Sequence, residues 1–253
     1  MKKTIPLFFV LLFLSFNAVA DLSCPKDTDG KIIINDGVKD NDGCDFEAEA
    51  IKFTLYQIAL CSQEPSFSAS AVPDYTGCTF ILNSSSGQLI EMKKEDQSID
   101  VQNVQQPNLG AYKYAIVAIG TDIEVKATVA ISGGATTWTD GSGLGTGTKN
   151  YNTITHHYGR GLADDEVPGF GHLTYHGTDT SYKWPLVQSS STRSNFVYTL
   201  YNQIDITELT EFSLGINFVS SAALLVNRSS GAVTGLEDGP IGLKFIVNNP
   251  KPF

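Results

Sequence analysis

The clearest structural signal in this chain is residues 49–61, which read EAIKFTLYQIALC. Apolar and polar residues alternate along this segment, and the alternation places Ile51, Phe53, Leu55 and Ala59 on one face. Alternation over such a length is typical of a β-strand with one buried face. The segment therefore predicts a strand within a sheet that covers a hydrophobic core.

The same period of two recurs on both sides of a long middle segment. The candidate strands are residues 78–82, 88–92, 111–119, 123–131, 196–201, 212–219, 222–226 and 241–247. Residues 84–87, Ser-Ser-Ser-Gly, predict a hairpin turn between the first two. Short strands at this spacing, without a sustained helical period, predict an all-β fold. We expect an antiparallel β-sandwich of the immunoglobulin-like or Greek-key kind.

Three segments carry a resemblance at the level of fold: AIKFTLY at residues 50–56, GAYKY at 110–114 and FSLGI at 212–216. They resemble the immunoglobulin-like and transthyretin-like sandwich modules of bacterial secreted and surface proteins. The resemblance implies a β-sandwich. It carries no activity across, because one fold supports many functions.

The N-terminus predicts export. Lys2 and Lys3 precede an apolar run at residues 5–14, and Ala18 and Ala20 stand at −3 and −1 of a cleavage before Asp21. This is the layout of a secretory signal peptide, and its apolar run is too short to span a bilayer. We expect a periplasmic, cell-surface or extracellular protein. The predicted divisions are a signal peptide at 1–20, an acidic Asp- and Gly-rich segment at 21–48, and a sandwich domain at 49–253 with an insertion at about 133–194.

Charge narrows the class of partner. Removal of the signal peptide takes away Lys2 and Lys3 and leaves 15 basic against 27 acidic residues, a net charge of −12. So acidic a chain is repelled by nucleic acid and by anionic lipid. No later segment reaches the roughly 18 apolar residues of a membrane helix. We expect neither a nucleic-acid partner nor a membrane span after signal removal.

Four cysteines lie in the first third of the chain, and an even number in an exported protein favours disulfides. Three pairings are open. We predict Cys24–Cys44 and Cys61–Cys78, because each closes a short local loop. A metal site is disfavoured, since none of the four stands in a CxxC pair.

Residues 21–45 are rich in acidic residues beside glycine. The carboxylates are Asp27, Asp29, Asp36, Asp40 and Asp42. Runs of this kind resemble calcium-binding loops, yet the EF-hand template fails because its closing Glu is absent. Two interpretations stay open: a calcium site held by the Cys24–Cys44 bridge, or tight turns built by Asp and Asn next to Gly.

The insertion concentrates the side chains suited to recognition. It contains both tryptophans, several tyrosines including Tyr151, and a glycine-rich run at 141–147 that predicts a loop. Exposed aromatic side chains give a large contact area at low entropic cost. We predict a binding surface formed by Trp138, Tyr158, Tyr175, Tyr182 and Trp184. Its partner would be a protein, a glycan or a second copy of the chain.

All four histidines also lie in the insertion: His156, His157, His172 and His176. With Asp and Glu between them they are the candidates for metal or acid–base chemistry, although no nucleophile motif accompanies them. The predicted function is a non-catalytic exported protein that binds or assembles, as a surface, adhesive or appendage-type subunit. The alternatives are a carbohydrate-binding module and a secreted hydrolase, metal-assisted, with its site in the insertion.

Overall fold

The computed structural model describes residues 23–41, 43–66, 73–94, 99–155, 171–173, 186–189, 192–217, 221–238 and 242–248. The predicted signal peptide lies outside them. Their only helix, α1 (Asp36–Asp40), has 5 residues. Their strands, in chain order, are β1 (Gly43–Glu47), β2 (Ala50–Cys61), β3 (Cys78–Lys93), β4 (Ile99–Asp100), β5 (Gly110–Lys126), β6 (Thr128–Ala130), β7 (Thr136–Thr139), β8 (Leu144–Gly145), β9 (Asn152–Thr155), β10 (Gly171–Leu173), β11 (Leu186–Ser189), β12 (Arg193–Ile206), β13 (Glu211–Asn217), β14 (Ser221–Val226), β15 (Val233–Asp238) and β16 (Gly242–Asn248).

The main sheet has seven strands, all paired antiparallel. Their order is β10-β11-β12-β5-β2-β3, and β9 pairs with the part of β5 that extends past β12. The long strands β2 and β5 lie in the middle. Their alternating side chains therefore face a core on one side and the outside on the other.

Three smaller antiparallel sheets complete the described structure, in the orders β1-β14-β15, β16-β13-β4 and β6-β7-β8. The last of these continues the main sheet. β5 leads into β6 through Ala127, whose N–H donates to Thr139 Oγ1 of β7 and whose carbonyl accepts from the Thr139 N–H. The central strand thus passes from one sheet to the next without a loop.

One hydrophobic core joins the main sheet to the β1-β14-β15 and β6-β7-β8 sheets. It combines Phe53 and Leu55 of the main sheet with Phe46 of β1, Leu224 of β14 and Val129 of β6, all buried. Full burial of a side chain of this kind contributes about 1.5–3 kcal/mol to stability. The prediction of an all-β sandwich, with antiparallel sheets packed together, is confirmed. The immunoglobulin-like topology stays a prediction.

Ala59 lies on the face opposite to the one predicted. The pairing of β2 with both neighbours shifts register between Leu55 and Gln57. Because side chains alternate with a period of two, the shift exchanges the faces beyond it. Ile58 then faces the main core, while Ala59 packs with Ile116 in a second, smaller cluster on the outer face.

Residues 84–87 do not form the predicted hairpin turn. β3 continues through them as one strand, with Asn83 opposite Gln57 and Gln88 opposite Leu55 on β2. The four residues form a bulge in an edge strand, opposite the single residue Tyr56 of β2. Bulges of this kind bend and twist the sheet. A serine- and glycine-rich tetrapeptide suits a bulge as well as a turn, which is why its composition misled the prediction.

Both predicted disulfides are confirmed. Cys24 is bonded to Cys44, and Cys61 to Cys78, with no free cysteine. The first joins the N-terminal segment to β1, and the second links the paired ends of β2 and β3. Disulfides persist in oxidising compartments, so this chemistry indicates a location outside the cytoplasm. No helix among the described residues is long and apolar enough to cross a membrane.

The middle segment contributes strands of its own. β7 and β8 join the small sheet of β6, while β9, β10 and β11 join the main sheet. Thr155 and Thr192, which flank residues 156–191, lie at one place because neighbouring residues of β5 hold both of them. Thr155 Oγ1 donates to Asp122 Oδ1 at 2.7 Å, and Thr121 N–H donates to the Thr192 carbonyl at 3.2 Å.

Candidate functional site

The outer side chains of β5 and β6 form a polar row on the face away from the main core. Residues 123–130 alternate strictly between buried and half-buried positions. Glu124, Lys126 and Thr128 therefore point outward, while Ile123 and Val125 point into the core. This row supports two aromatic residues that approach it from other parts of the chain.

Tyr151 lies across the strands of the main sheet just before β9. Its hydroxyl donates to Glu91 Oε1 on β3 at 2.7 Å. The Lys52 ammonium of β2 lies 3.7 Å from the ring centroid, and the Lys126 ammonium of β5 lies 5.7 Å from it. Contacts at these distances are cation–π interactions. The ring is half-buried and belongs to neither hydrophobic cluster.

Trp138 lies further along the same face. On β7 it stands opposite Thr128, and directly opposed residues of an antiparallel pair share a face. Its indole N–H donates to the Gly147 carbonyl at 2.6 Å, which fixes the ring beside β8. Like Tyr151, it is half-buried and outside both clusters, whereas its neighbour Thr139 is fully buried on the other face.

An ion pair lies at Thr128 on the same face. Lys149 Nζ is 2.6 Å from Glu49 Oε1 and donates to Thr128 Oγ1 at 2.5 Å. Thr128 Oγ1 in turn donates to the same Glu49 oxygen at 2.6 Å. Because each of the three contacts both others, their positions are fixed together. We refer to Trp138, Tyr151 and the polar residues around them (Glu49, Lys52, Glu91, Glu124, Lys126, Thr128 and Lys149) as the Trp–Tyr face.

Neighbouring groups shift the pKa of two residues on this face, Glu49 and Tyr151. Burial acts to raise the pKa of Glu49, but hydrogen bonds from Lys149 and Thr128 outweigh it and hold that pKa below its usual value. Burial, followed by the acceptor Glu91, raises the pKa of Tyr151. Its phenol therefore stays a hydrogen-bond donor at neutral pH. Three lysines and three glutamates make the face neutral within an acidic protein.

The glycine run 141–147 forms a hydrogen-bonded turn that supports Trp138. The buried Asn152 amide donates to the Gly143 carbonyl at 2.6 Å and accepts from the Gly141 N–H at 2.8 Å. Gly145 leaves room for the Asp140 carboxylate, since a Cβ there would lie 2.2 Å from Asp140 Oδ2. The run includes β8, whose Gly145 pairs with Trp138 of β7.

Arg193, at the start of β12, extends across the outer face and contacts β2 and β3. It stands opposite Gly120 of β5, and its guanidinium carbon lies 3.9 Å from the centroid of the Tyr56 ring on β2. Its Nη2 donates to the Ser85 carbonyl in the bulge of β3 at 3.0 Å. One side chain thereby connects β12 to two strands that it does not pair with.

The other predicted binding residues lie outside the described part of the chain: Tyr158, Tyr175, Tyr182 and Trp184. So do His156, His157 and His176, whereas His172 lies on β10 opposite Gln188 of β11. Whether the histidines form a site stays a prediction. Among the described residues, the structure brings together no three His, Cys, Asp or Glu that could hold a metal ion.

The carboxylates predicted to bind calcium have local partners where the structure describes them. Asp27 Oδ1 accepts from the N–H groups of Asp29 and Lys31, both at 2.9 Å, and a hydrogen bond with Ser132, then that of Lys31, lowers its pKa. Asp36 pairs with Lys39 at 2.6 Å in the helix.

Asp40 lies exposed at the end of the same helix, and Asp42 lies outside the described residues. The contacts of Asp27 stabilise a turn, and the ion pair of Asp36 stabilises the helix, so both residues have a structural role without a metal ion. The calcium site stays a prediction.

Sequence reasoning identified Trp138 and Tyr151 as aromatic candidates but not the charged residues around them. Glu91 and Lys149 lie far from Tyr151 and Glu49 in sequence, and only strand pairing brings them together. The available signal was the alternation of 123–130, which marks Glu124, Lys126 and Thr128 as one outward row. The partners across the strands could not be read from it.

Comparison of the chain with protein families, curated proteins and solved structures gave no match. The fold and the disulfides therefore define the class: an all-β sandwich protein with two disulfides, suited to an oxidising compartment. Its function has to be argued from the Trp–Tyr face itself.

Proposed function

We propose that this chain is an exported, non-catalytic protein that binds or assembles through the Trp–Tyr face, as a surface, adhesive or appendage-type subunit. The predicted signal peptide at 1–20 delivers it out of the cytoplasm, and the two disulfides support that destination. The mature chain works in the periplasm, at the cell surface or in the medium.

One observation carries the proposal: two large aromatic side chains are held half-exposed by specific hydrogen bonds, outside the core. The Trp138 indole donates to the Gly147 carbonyl, and the Tyr151 hydroxyl donates to Glu91. Aromatic residues with an apolar body and a satisfied polar end are enriched at interaction surfaces. The fold stabilises these rings in place without burying them in a hydrophobic cluster.

The position of the middle segment supports the same interpretation. Residues 156–191 begin and end at Thr121 and Asp122 of β5, a few residues from Tyr151. Long connections carried by a rigid sheet are where binding residues concentrate. The two residues that flank this segment, Thr155 and Thr192, are therefore held by the same strand that carries the outward row of the Trp–Tyr face.

The proposal is tested on the purified mature chain with two readouts: self-association by sedimentation velocity, and binding of fluorescent protein to cells of the organism that makes it. The double variant W138A/Y151A is compared with wild type and with L209A. Leu209 is an exposed apolar residue in a turn far along the chain, with 54% of its surface accessible.

We expect wild type and L209A to self-associate or to bind cells, and the double variant to lose that activity by about tenfold, which corresponds to 1.4 kcal/mol. If wild type does neither, or if the double variant equals wild type, the proposal is wrong.

A further inference from the structure

The Trp–Tyr face combines flat apolar rings with many hydrogen-bonding groups. Its polar side chains already form fixed pairs: Lys149 with Glu49 at 2.6 Å, Lys52 with Glu124 at 3.8 Å, and Tyr151 with Glu91 at 2.7 Å. Side chains held in this way offer donors and acceptors at set positions, and a ligand does not have to order them.

The two rings are close enough to serve one extended ligand. Lys126 ends β5 and Thr128 begins β6, with only Ala127 between them, and residues two apart in extended chain project about 7 Å apart. Trp138 lies beside Thr128, at a cross-strand spacing of about 5 Å. The Tyr151 ring lies over Lys126 and Lys52. A linear molecule of a few rings could therefore contact both aromatic residues along this row.

Charge selects among the ligands that such a row could hold. Lys52, Lys126 and Lys149 balance Glu49, Glu91 and Glu124, and Asp140 adds one carboxylate in the turn that holds Trp138, so the face does not favour an anion. A protein partner fits poorly as well, because the cores of protein interfaces are depleted in Lys and Glu. A ligand with apolar ring faces and many hydroxyl groups fits both the aromatic rings and the charged hydrogen-bonding groups.

We infer that the Trp–Tyr face binds a neutral glycan chain. Trp138 and Tyr151 stack on the apolar faces of sugar rings, and Lys52, Glu91 and Lys149 hydrogen-bond their hydroxyl groups. The inference rests on the proposed function, for which it names the ligand class. The chain would then be a carbohydrate-binding protein. The glycine-rich turn positions Trp138, and the surface of the main sheet positions Tyr151.

The test is affinity electrophoresis of the purified mature protein through native gels that contain one soluble polysaccharide each. The neutral probes are hydroxyethylcellulose, xylan, galactomannan and dextran, and alginate is the anionic comparison. Four variants run beside wild type: W138A, Y151A, Y151F and L209A. Far-ultraviolet circular dichroism and melting temperature show that each variant is folded.

At least one neutral polysaccharide should retard wild type, with little change at high salt because no net charge is involved. W138A and Y151A should each weaken that binding by about tenfold, while L209A should not. Y151F should retain most of it, since it keeps the ring and removes only the hydroxyl that donates to Glu91. This retention would separate stacking by the ring from a role of the hydroxyl.

Two results overturn the inference: no retardation of wild type by any of the four neutral probes, or retardation by alginate alone. Self-association then shows whether the proposed function fails too. If W138A/Y151A still abolishes self-association or cell binding, the face binds a partner other than the neutral glycans tested, and only the assignment to these glycans is wrong. If that variant leaves both unchanged, the binding function is wrong as well.

Discussion

Glu49 shows how a single side chain on the Trp–Tyr face is tuned by its neighbours. It is bonded to Lys149 and to Thr128, and hydrogen bonds from these two residues hold its pKa below the usual value against the effect of burial. A carboxyl whose pKa is lower in the folded protein than in the unfolded chain stabilises the fold only when it is ionised.

Replacement of Glu49 by Gln should therefore destabilise the protein at neutral pH and make little difference in acid. The contribution is complete above the unfolded-state pKa, near 4.3, and disappears as the pH falls through the lower folded-state value. Urea unfolding of wild type and E49Q at pH 7, 5 and about 3 measures this difference. A gap between the two proteins that persists or widens in acid would contradict the role given to the charge.

Gly87 and Gly133 show two different reasons why a position requires glycine. Both have positive φ, +76° and +72°, which an L-residue adopts at a cost of about 1 kcal/mol or more. At Gly133 a Cβ would meet nothing within 4 Å, whereas at Gly87 it would lie 2.2 Å from Thr54 Cγ2. The second position therefore adds a steric penalty to the conformational one.

We expect G87A to destabilise the protein clearly more than G133A in urea unfolding. The bulge of β3 would have to move away from Thr54, and overpacking of this kind costs about 1–3 kcal/mol. Equal losses for the two variants would mean that the bulge can shift without penalty.

At the level of strands, the Cys61–Cys78 bond fixes the paired ends of β2 and β3. The two cysteines stand opposite each other in the ladder, and Cys61 is fully buried in the outer cluster. The double variant C61A/C78A should lose about 2–4 kcal/mol of stability, because its unfolded chain is less constrained. Non-reducing peptide mapping of wild type provides the control, and recovery of a Cys44–Cys61 peptide would contradict the pairing.

Alternation predicted that residues 49–61 form a strand with Ile51, Phe53 and Leu55 in the core, and the structure confirms this. It failed at Ala59, because the bulge after Leu55 depends on how β2 pairs with β3 and β5. A pattern within one strand reports which residues are buried while the register holds. It does not report the partner strand, and bulges arise from that partnership.

β5 illustrates the same limit. Gly120, Thr121 and Asp122 interrupt the apolar pattern, so two strands were predicted where one runs from Gly110 to Lys126. The interruption has a structural reason: the first residue of β12 lies opposite Gly120, and the last residue of β9 lies opposite Asp122, so β5 changes its neighbour here. The exchange of neighbours, and with it the attachment of residues 156–191, is a property of the assembled sheet.

Across the whole molecule, composition drew attention to one segment and gave no contacts within it. The concentration of tryptophan and tyrosine in residues 133–194 predicted a binding surface that includes Trp138, and that surface stays a prediction. The structure places Trp138 and Tyr151 outside the hydrophobic clusters and brings Lys52 and Glu91 to Tyr151. Contacts between residues distant in sequence could not be predicted from one sequence, because the register of β2, β3 and β5 determines them.

A Trp138 held at the surface for binding should be replaceable at little cost in stability, and urea unfolding of W138A tests this most directly. The variant loses the indole hydrogen bond to the Gly147 carbonyl, worth about 1 kcal/mol, and little core packing. We predict a loss well below the roughly 3–5 kcal/mol of a buried tryptophan, with L209A close to wild type as the exposed reference. A loss of 3 kcal/mol or more, about that of a buried tryptophan, would place Trp138 in the scaffold and contradict the binding role of the face.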